Sequence, residues 1–117
     1  MNCWIGVDLD GTLAEYGGWK GENHIGNPIP LMVSRVKQWI AEGKEVKIFT
    51  ARAWQYNPDT EDIIQKWCIK YIGQILPITC FKDYGMIELW DDRAIQVIPN
   101  KGIALQDLLK EGVKCKL

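Results

Sequence analysis

Two carboxylates one residue apart close the first apolar run of the chain: Trp4-Ile5-Gly6-Val7 leads into Asp8-Leu9-Asp10, and Gly11-Thr12 follows at once. A short apolar run reads as a buried strand. Where such a strand ends the chain leaves the sheet, so Asp8 and Asp10 are delivered to the carboxyl edge, where open α/β sheets bind ligands. A second pair, Asp91-Asp92, follows the run Met86-Ile87-Glu88-Leu89-Trp90 and precedes Arg93. Thr50 ends the run Val46-Lys47-Ile48-Phe49, and Lys82 comes just after Ile78-Thr79-Cys80-Phe81. Paired carboxylates can supply a nucleophile and a general acid and base. A threonine hydroxyl and a lysine can offset charge that develops on a reacting anion.

Carboxylates gathered at one edge repel one another. Two unit charges 4 Å apart interact by about 4 kcal/mol at an effective dielectric of 20, so such a group calls for a cation. Ligands that are all oxygen, with waters retained, describe Mg²⁺. Each residue also has a plainer use. Asp-rich turns bond their own backbone, with glycine at positive φ; threonine is a common strand former; a lone lysine usually sits in solvent.

The elements between these residues alternate. Residues 13 to 27, with Gly17, Gly18, Gly21 and Gly26 among Tyr16, Trp19 and the single histidine His24, read as a loop or flap. Pro28 and Pro30 introduce Ile29, Met32, Val33, Val36, Trp39 and Ile40, one apolar stripe on a helix that Gly43 ends. After the Val46–Thr50 strand and a loop over Ala51 to Tyr56, Asn57 offers an N-cap, Pro58 suits the first helical position, and Asp59, Glu61 and Asp62 suit the positive end of the helix. Ile63, Ile64, Trp67, Cys68, Tyr71 and Ile72 form that helix's buried face. A third strand is expected at Ile78–Phe81, a clearer one at Met86–Trp90, a short last strand at Gln96-Val97-Ile98, and a final helix through Leu105, Leu108 and Leu109 that stops near Gly112. Strands alternating with helices predict an α/β fold with a mainly parallel central sheet.

Taken in order, Asp8-x-Asp10-Gly11-Thr12, Thr50, Lys82 and Asp91-Asp92 resemble the four signatures of the haloacid dehalogenase (HAD) superfamily of phosphotransferases. That resemblance implies a three-layer Rossmann-like fold in which Asp8 attacks phosphorus to give an aspartyl phosphate and Asp10 serves as general acid, then general base. It implies that Thr50 and Lys82 stabilise the transferring phosphoryl group. It also implies a Mg²⁺ site made of Asp8, the backbone carbonyl of Asp10 and the Asp91-Asp92 pair, with Asp92 as the direct ligand. Gly11, Thr12 and Arg52, the last in Thr50-Ala51-Arg52, are expected to contact substrate, Arg52 as a planar fork for a phosphate or base. No cap domain is expected, because the gaps after the first and third signatures hold only a short loop and almost nothing. Only Asp83, Tyr84 and Gly85 separate Lys82 from Met86, whereas a parallel crossover normally takes a dozen or more residues. The third strand is therefore short, or an extended segment crosses directly.

Composition narrows the partners. At 117 residues the sequence fits one domain spanning 1–117. A net charge of −1 with mixed signs gives no basic stripe for nucleic acid and no basic amphipathic helix for a membrane surface. Four cysteines without a C-x-x-C spacing read as reduced, and no apolar stretch approaches a membrane span, which together predict a cytoplasmic protein. The expected activity is a Mg²⁺-dependent phosphatase for a small phosphorylated metabolite or nucleotide. An open site either admits a large substrate or is closed by a neighbouring subunit in a homo-oligomer. Trp19 and Trp54 lie in loops at the carboxyl edge, where either could stack on a base or sugar face. Three other readings remain: a phosphatase for polynucleotide ends, which the ending Asp91-Asp92-Arg93 resembles; a phospho-acceptor receiver domain, whose acidic pair comes first rather than last; and a HAD-like scaffold that binds without turnover.

Overall fold

The protein is described by a computed structural model that covers residues 2–109. Trp4–Val7 form β1, Glu45–Phe49 form β2, Ile78–Thr79 form β3 and Met86–Trp90 form β4. They make one sheet in the order β3-β2-β1-β4, and every pairing is parallel. The fold is α/β and Rossmann-like, as the alternation of elements predicts.

Helix α1 spans Pro30–Ala41 and α2 spans Pro58–Tyr71. Each starts on a proline whose missing N–H would have no partner in the first turn. Asn57 caps α2, its side-chain oxygen accepting from the backbone N–H groups of Asp59 at 2.9 Å and Thr60 at 3.5 Å. Gly43 ends α1 at φ +80°, a region that costs other residues a steric penalty. Its N–H returns to the carbonyl of Ile40 and that of Lys44 to Trp39, which occupies the last free acceptors.

Alternation along the strands sorts the two faces of the sheet. Ile5, Val7, Val46 and Ile48 share one buried cluster with Val33 and Val36 of α1 and Ile64, Trp67 and Cys68 of α2, so both helices cover the same face. Trp39 of α1 extends that contact to the edge strand, its ring 5.1 Å from that of Trp90. The opposite face carries Trp4, whose ring is held by the Asp83 carboxylate at Nε1, 2.8 Å, and by the Lys47 ammonium 4.6 Å above it. Gly6 leaves the room for this, since a Cβ there would stand 3.2 Å from the Trp4 ring and 3.1 Å from the Met86 sulfur.

The missing crossover helix has its explanation in the topology. Strands β3 and β4 lie at opposite edges, roughly 14 Å apart across three strand spacings. The six residues from Cys80 to Gly85 make the crossing, and the seven Cα steps from Thr79 to Met86 reach roughly 24 Å when extended. A direct extended segment therefore suffices, and the third strand is also short. The anchor of Asp83 on Trp4 puts the segment on the face opposite the helices. Running back across the sheet on that face gives this crossover the same hand as the two helical ones.

One expected element differs. Gln96-Val97-Ile98 adds no strand to the sheet; Val97 makes a single antiparallel bridge to Ala104 instead. Residues 105–109 are helical as expected, whereas the stop near Gly112 lies outside the described residues, as does Cys115. Cys3, Cys68 and Cys80 are free thiols. No helix among the described residues is long and apolar enough to cross a membrane.

Candidate active site

Parallel pairing of β1 with β4 sets the site. Val7 lies opposite Trp90, and the Asp8 N–H donates to the Trp90 carbonyl at 2.9 Å. The next residue of each strand is an aspartate, so two strand ends deliver their acids to one place. Asp8, Asp91 and Asp92 each offer a carboxylate oxygen, and these three oxygens lie within 4.8 Å of one another. Burial pushes the half-buried Asp8 carboxyl up to about 7, and the negative charge of Asp91 and then Asp92 adds to the effect. Oxygen donors at this spacing suit a hard divalent cation.

Gly11 and Thr12, expected to contact substrate, lie against this group. The Thr12 hydroxyl lies 3.3 Å from Asp8 Oδ2 and 3.2 Å from Asp92 Oδ1, and its oxygen accepts from the Asp92 N–H at 2.9 Å. With one proton, it donates to one acid at a time. Gly11 has φ +94°, and a Cβ there would stand 2.5 Å from Asp92 Oδ2. The glycine answers both the turn and the close approach of Asp92. Asp91 is oriented by its own Asx turn, Oδ1 accepting from the Arg93 N–H at 2.7 Å.

Asp10 points elsewhere. Arg52 grips it at two points, Nε to Oδ2 at 2.8 Å and Nη2 to Oδ1 at 2.9 Å. The same guanidinium donates to the carbonyls of Glu22 at 3.2 Å and His24 at 2.8 Å, and lies 4.9 Å from the Trp19 ring centroid. Four of its five N–H donors are therefore used within the protein. Arg52, expected to hold substrate, lines the cleft and ties the 15–27 loop to the end of β1. That loop is closed at its base by Glu15 N–H to Asn27 O, 2.8 Å, and rests on α2 through Trp67 Nε1 to Gly26 O, 3.0 Å.

Thr50 is buried where β2 ends, and its oxygen accepts from the Arg52 N–H at 3.2 Å, capping the short 3₁₀ turn Ala51–Ala53. The hydroxyl proton stays available. A cleft of about 560 Å³ brings Asp8, Asp10, Thr50 and Asp91 together with Arg93. Lys82 is exposed in the crossing segment and is not among the residues lining this cleft. Lys82 is thus not brought to the cleft with the other expected site residues, because the chain turns from Cys80 toward the opposite face. Arg93 lines the cleft in its place and makes no ion pair among the described residues. Its position directly after Asp91-Asp92 was the available signal.

The sequence matches no protein-family model and no curated protein. Among solved structures it is similar to a conserved protein from Bacteroides thetaiotaomicron, with 21% identity, a TM-score of 0.58 and an alignment covering 100% of this chain and 93% of that one. At that identity the likeness speaks for the fold alone.

Proposed function

We propose that this chain is a Mg²⁺-dependent phosphatase of the HAD type, acting in the cytoplasm on a phosphate monoester through an aspartyl phosphate on Asp8. The observation that carries this reading is the convergence of Asp8, Asp91 and Asp92 oxygens within 4.8 Å at the ends of neighbouring parallel strands. The donor set fits the cation: all ligands are oxygen, and the Asp8 carboxyl is held at about 7 by burial and two acidic neighbours whose repulsion a divalent ion relieves. Asp8, Asp91 and Asp92 would hold Mg²⁺. When bound, the ion supplies charge neutralisation that lets an anionic nucleophile approach an anionic phosphate.

The chain's own groups do the rest. An Asp8 oxygen attacks phosphorus, the ester P–O bond breaks, and the leaving alkoxide takes a proton. Water then attacks the same phosphorus, releasing phosphate and restoring the carboxylate. Thr50, whose oxygen already accepts from Arg52, donates its hydroxyl proton to a phosphoryl oxygen. Arg93 offers a fork of N–H donors to the remaining phosphoryl oxygens. Asp10 acts as acid and base only when one of its oxygens leaves the Arg52 fork, so the fork sets when that proton can move.

Hydrolysis of an aryl phosphate tests the reading directly, comparing Mg²⁺, chelator and Asp8→Asn at equal folded protein. Turnover confined to the first sample is expected. Turnover that survives either change removes Asp8 or the metal from the mechanism. If all three are inert, brief exposure to acetyl phosphate distinguishes a stable acyl-phosphate receiver from a binding scaffold.

A further inference from the structure

Four of the six tryptophans are engaged by the fold. Trp4 bonds Asp83, Trp67 bonds Gly26, and Trp39 packs on Trp90. Trp19 and Trp54 are the most exposed of the six, at 57% and 75%, and both line the cleft that holds Asp8 and Asp91. Trp54 also lines a second cavity of about 280 Å³, which it shares with Tyr56 and Phe81, exposed aromatics at the start of α2 and after β3. Trp54 therefore stands, with Arg52, Thr60 and Cys80, between the acid cluster and an aromatic recess.

An exposed tryptophan leaves a large apolar ring in water, a free-energy cost that a stacked ligand removes. The Trp54 indole N–H donates to no other group among the described residues, so nothing in the fold fixes the ring. The recess adjoining it has one carboxylate, Glu61, and its lining combines the aromatic rings of Trp54, Tyr56 and Phe81 with the amides of Gln55 and Asn57, a mixture suited to a flat heterocycle that also forms hydrogen bonds. Trp19 lines the same cleft, its ring centroid 4.9 Å from the Arg52 guanidinium.

We propose that the alcohol half of the substrate carries a nucleobase, and that Trp54 stacks on it at the mouth of the aromatic recess while the phosphate meets Asp8. The substrate class is then a base-bearing phosphomonoester, a mononucleotide or a terminally phosphorylated oligonucleotide. This rests on the phosphatase reading for the position of the phosphate. Stacking is tolerant of base identity because every base has a π-face, so the site discriminates base from no base rather than one base from another.

Binding and turnover separate the two ideas. Ribose 5-phosphate, the four nucleoside 5′-monophosphates and a phosphorylated tetranucleotide are titrated by calorimetry into Asp8→Asn protein with Mg²⁺, and kcat/KM is measured for the same compounds with the native enzyme. Base-bearing esters are expected to bind and react about tenfold or more better than ribose 5-phosphate, with Trp54→Ala reducing that margin to within about twofold. A tetranucleotide that outperforms the mononucleotides assigns the recess to a polynucleotide end; equality assigns it to free nucleotides. Equal treatment of base-bearing and base-free esters, a margin untouched by Trp54→Ala, or no binding of any of them overturns the subsite. Turnover without base preference leaves the phosphatase reading standing and sinks this one. A base preference in binding without any turnover does the reverse.

Discussion

Arg52 and Asp10 form a two-point ion pair, with Nε and Nη2 of the guanidinium 2.8 and 2.9 Å from the two carboxylate oxygens, and with 6% and 20% of their side chains exposed. This sheltered pair joins three parts of the molecule, because the same guanidinium reaches two carbonyls of the 15–27 loop and the Trp19 ring. Lysine brings a point charge without the fork. Arg52→Lys is expected to destabilise the fold by about 1–3 kcal/mol and to free the loop, read as a lower urea midpoint together with faster amide exchange at Glu22 and His24. Unchanged exchange in the loop would mean that its own backbone bonds hold it.

Asp8 makes stability depend on pH in an uncommon direction for an aspartate. Burial and its acidic neighbours hold the native carboxyl at about 7, against an ordinary value of 3.8 that stands for the unfolded chain, so between those values the native state binds more protons than the unfolded one. Stability of the metal-free protein therefore falls as pH rises through this window. The full shift would correspond to about 4 kcal/mol; because the group is only half-buried, about 1–2 kcal/mol is expected. Urea midpoints at pH 5 and pH 8 measure this, and Mg²⁺ is expected to restore the loss at pH 8 while doing little at pH 5, where the proton competes for the same oxygen. A midpoint that rises from pH 5 to pH 8 without metal would contradict the burial of Asp8.

Gly11→Ala places a methyl group against Asp92 in a conformation that disfavours side chains. The expected cost is about 1–3 kcal/mol of stability. Mg²⁺ affinity should fall by about tenfold or more, because Asp92 must leave Thr12. Thr12→Val separates the two effects: it keeps the shape and removes the hydroxyl, so affinity falls while the backbone is unstrained. Calorimetric titration with Mg²⁺ on both variants reads the difference.

Arg93 lines the cleft and Lys82 does not, so under the proposed mechanism Arg93 is the cation expected to face the phosphoryl group. Arg93→Ala is expected to lower kcat/KM on an aryl phosphate by about tenfold or more, and Lys82→Ala by less than about twofold, as for an exposed side chain outside the cleft. The opposite ranking would require the crossing segment to fold back over the site.

The strand ends and helix caps of the fold were legible because each rests on local chemistry: Asn57 and Pro58 at the start of α2, Gly43 after α1, and apolar runs that stop at aspartates. The meeting of Asp8 with Asp91 and Asp92 was legible for the same reason, once two strands were known to end in acids. The destinations of Arg52 and Thr12 were not. A guanidinium two residues beyond a strand can face substrate or protein, and its choice is made by Glu22 and His24, whose carbonyls arrive on a loop with no periodic pattern. The displacement of Lys82 was half visible: three residues before Met86 are too few for a helix, but only the strand order shows that the segment must run away from the cleft.

The pairing of β1 with β4 also makes the acid cluster a clasp. Thr12 and Asp92, joined at the site, stand 80 positions apart, so the carboxylates meet only when most of the chain has been gathered between them. Closing a loop of that length carries an entropic cost of about 4 kcal/mol before any fixed terms, and it falls on the β1–β4 pairing and the acid cluster rather than on the helices. A ligand that bridges Asp8 to Asp91 and Asp92 therefore acts as a reversible cross-link, holding shut the longest loop in the fold for as long as it stays bound.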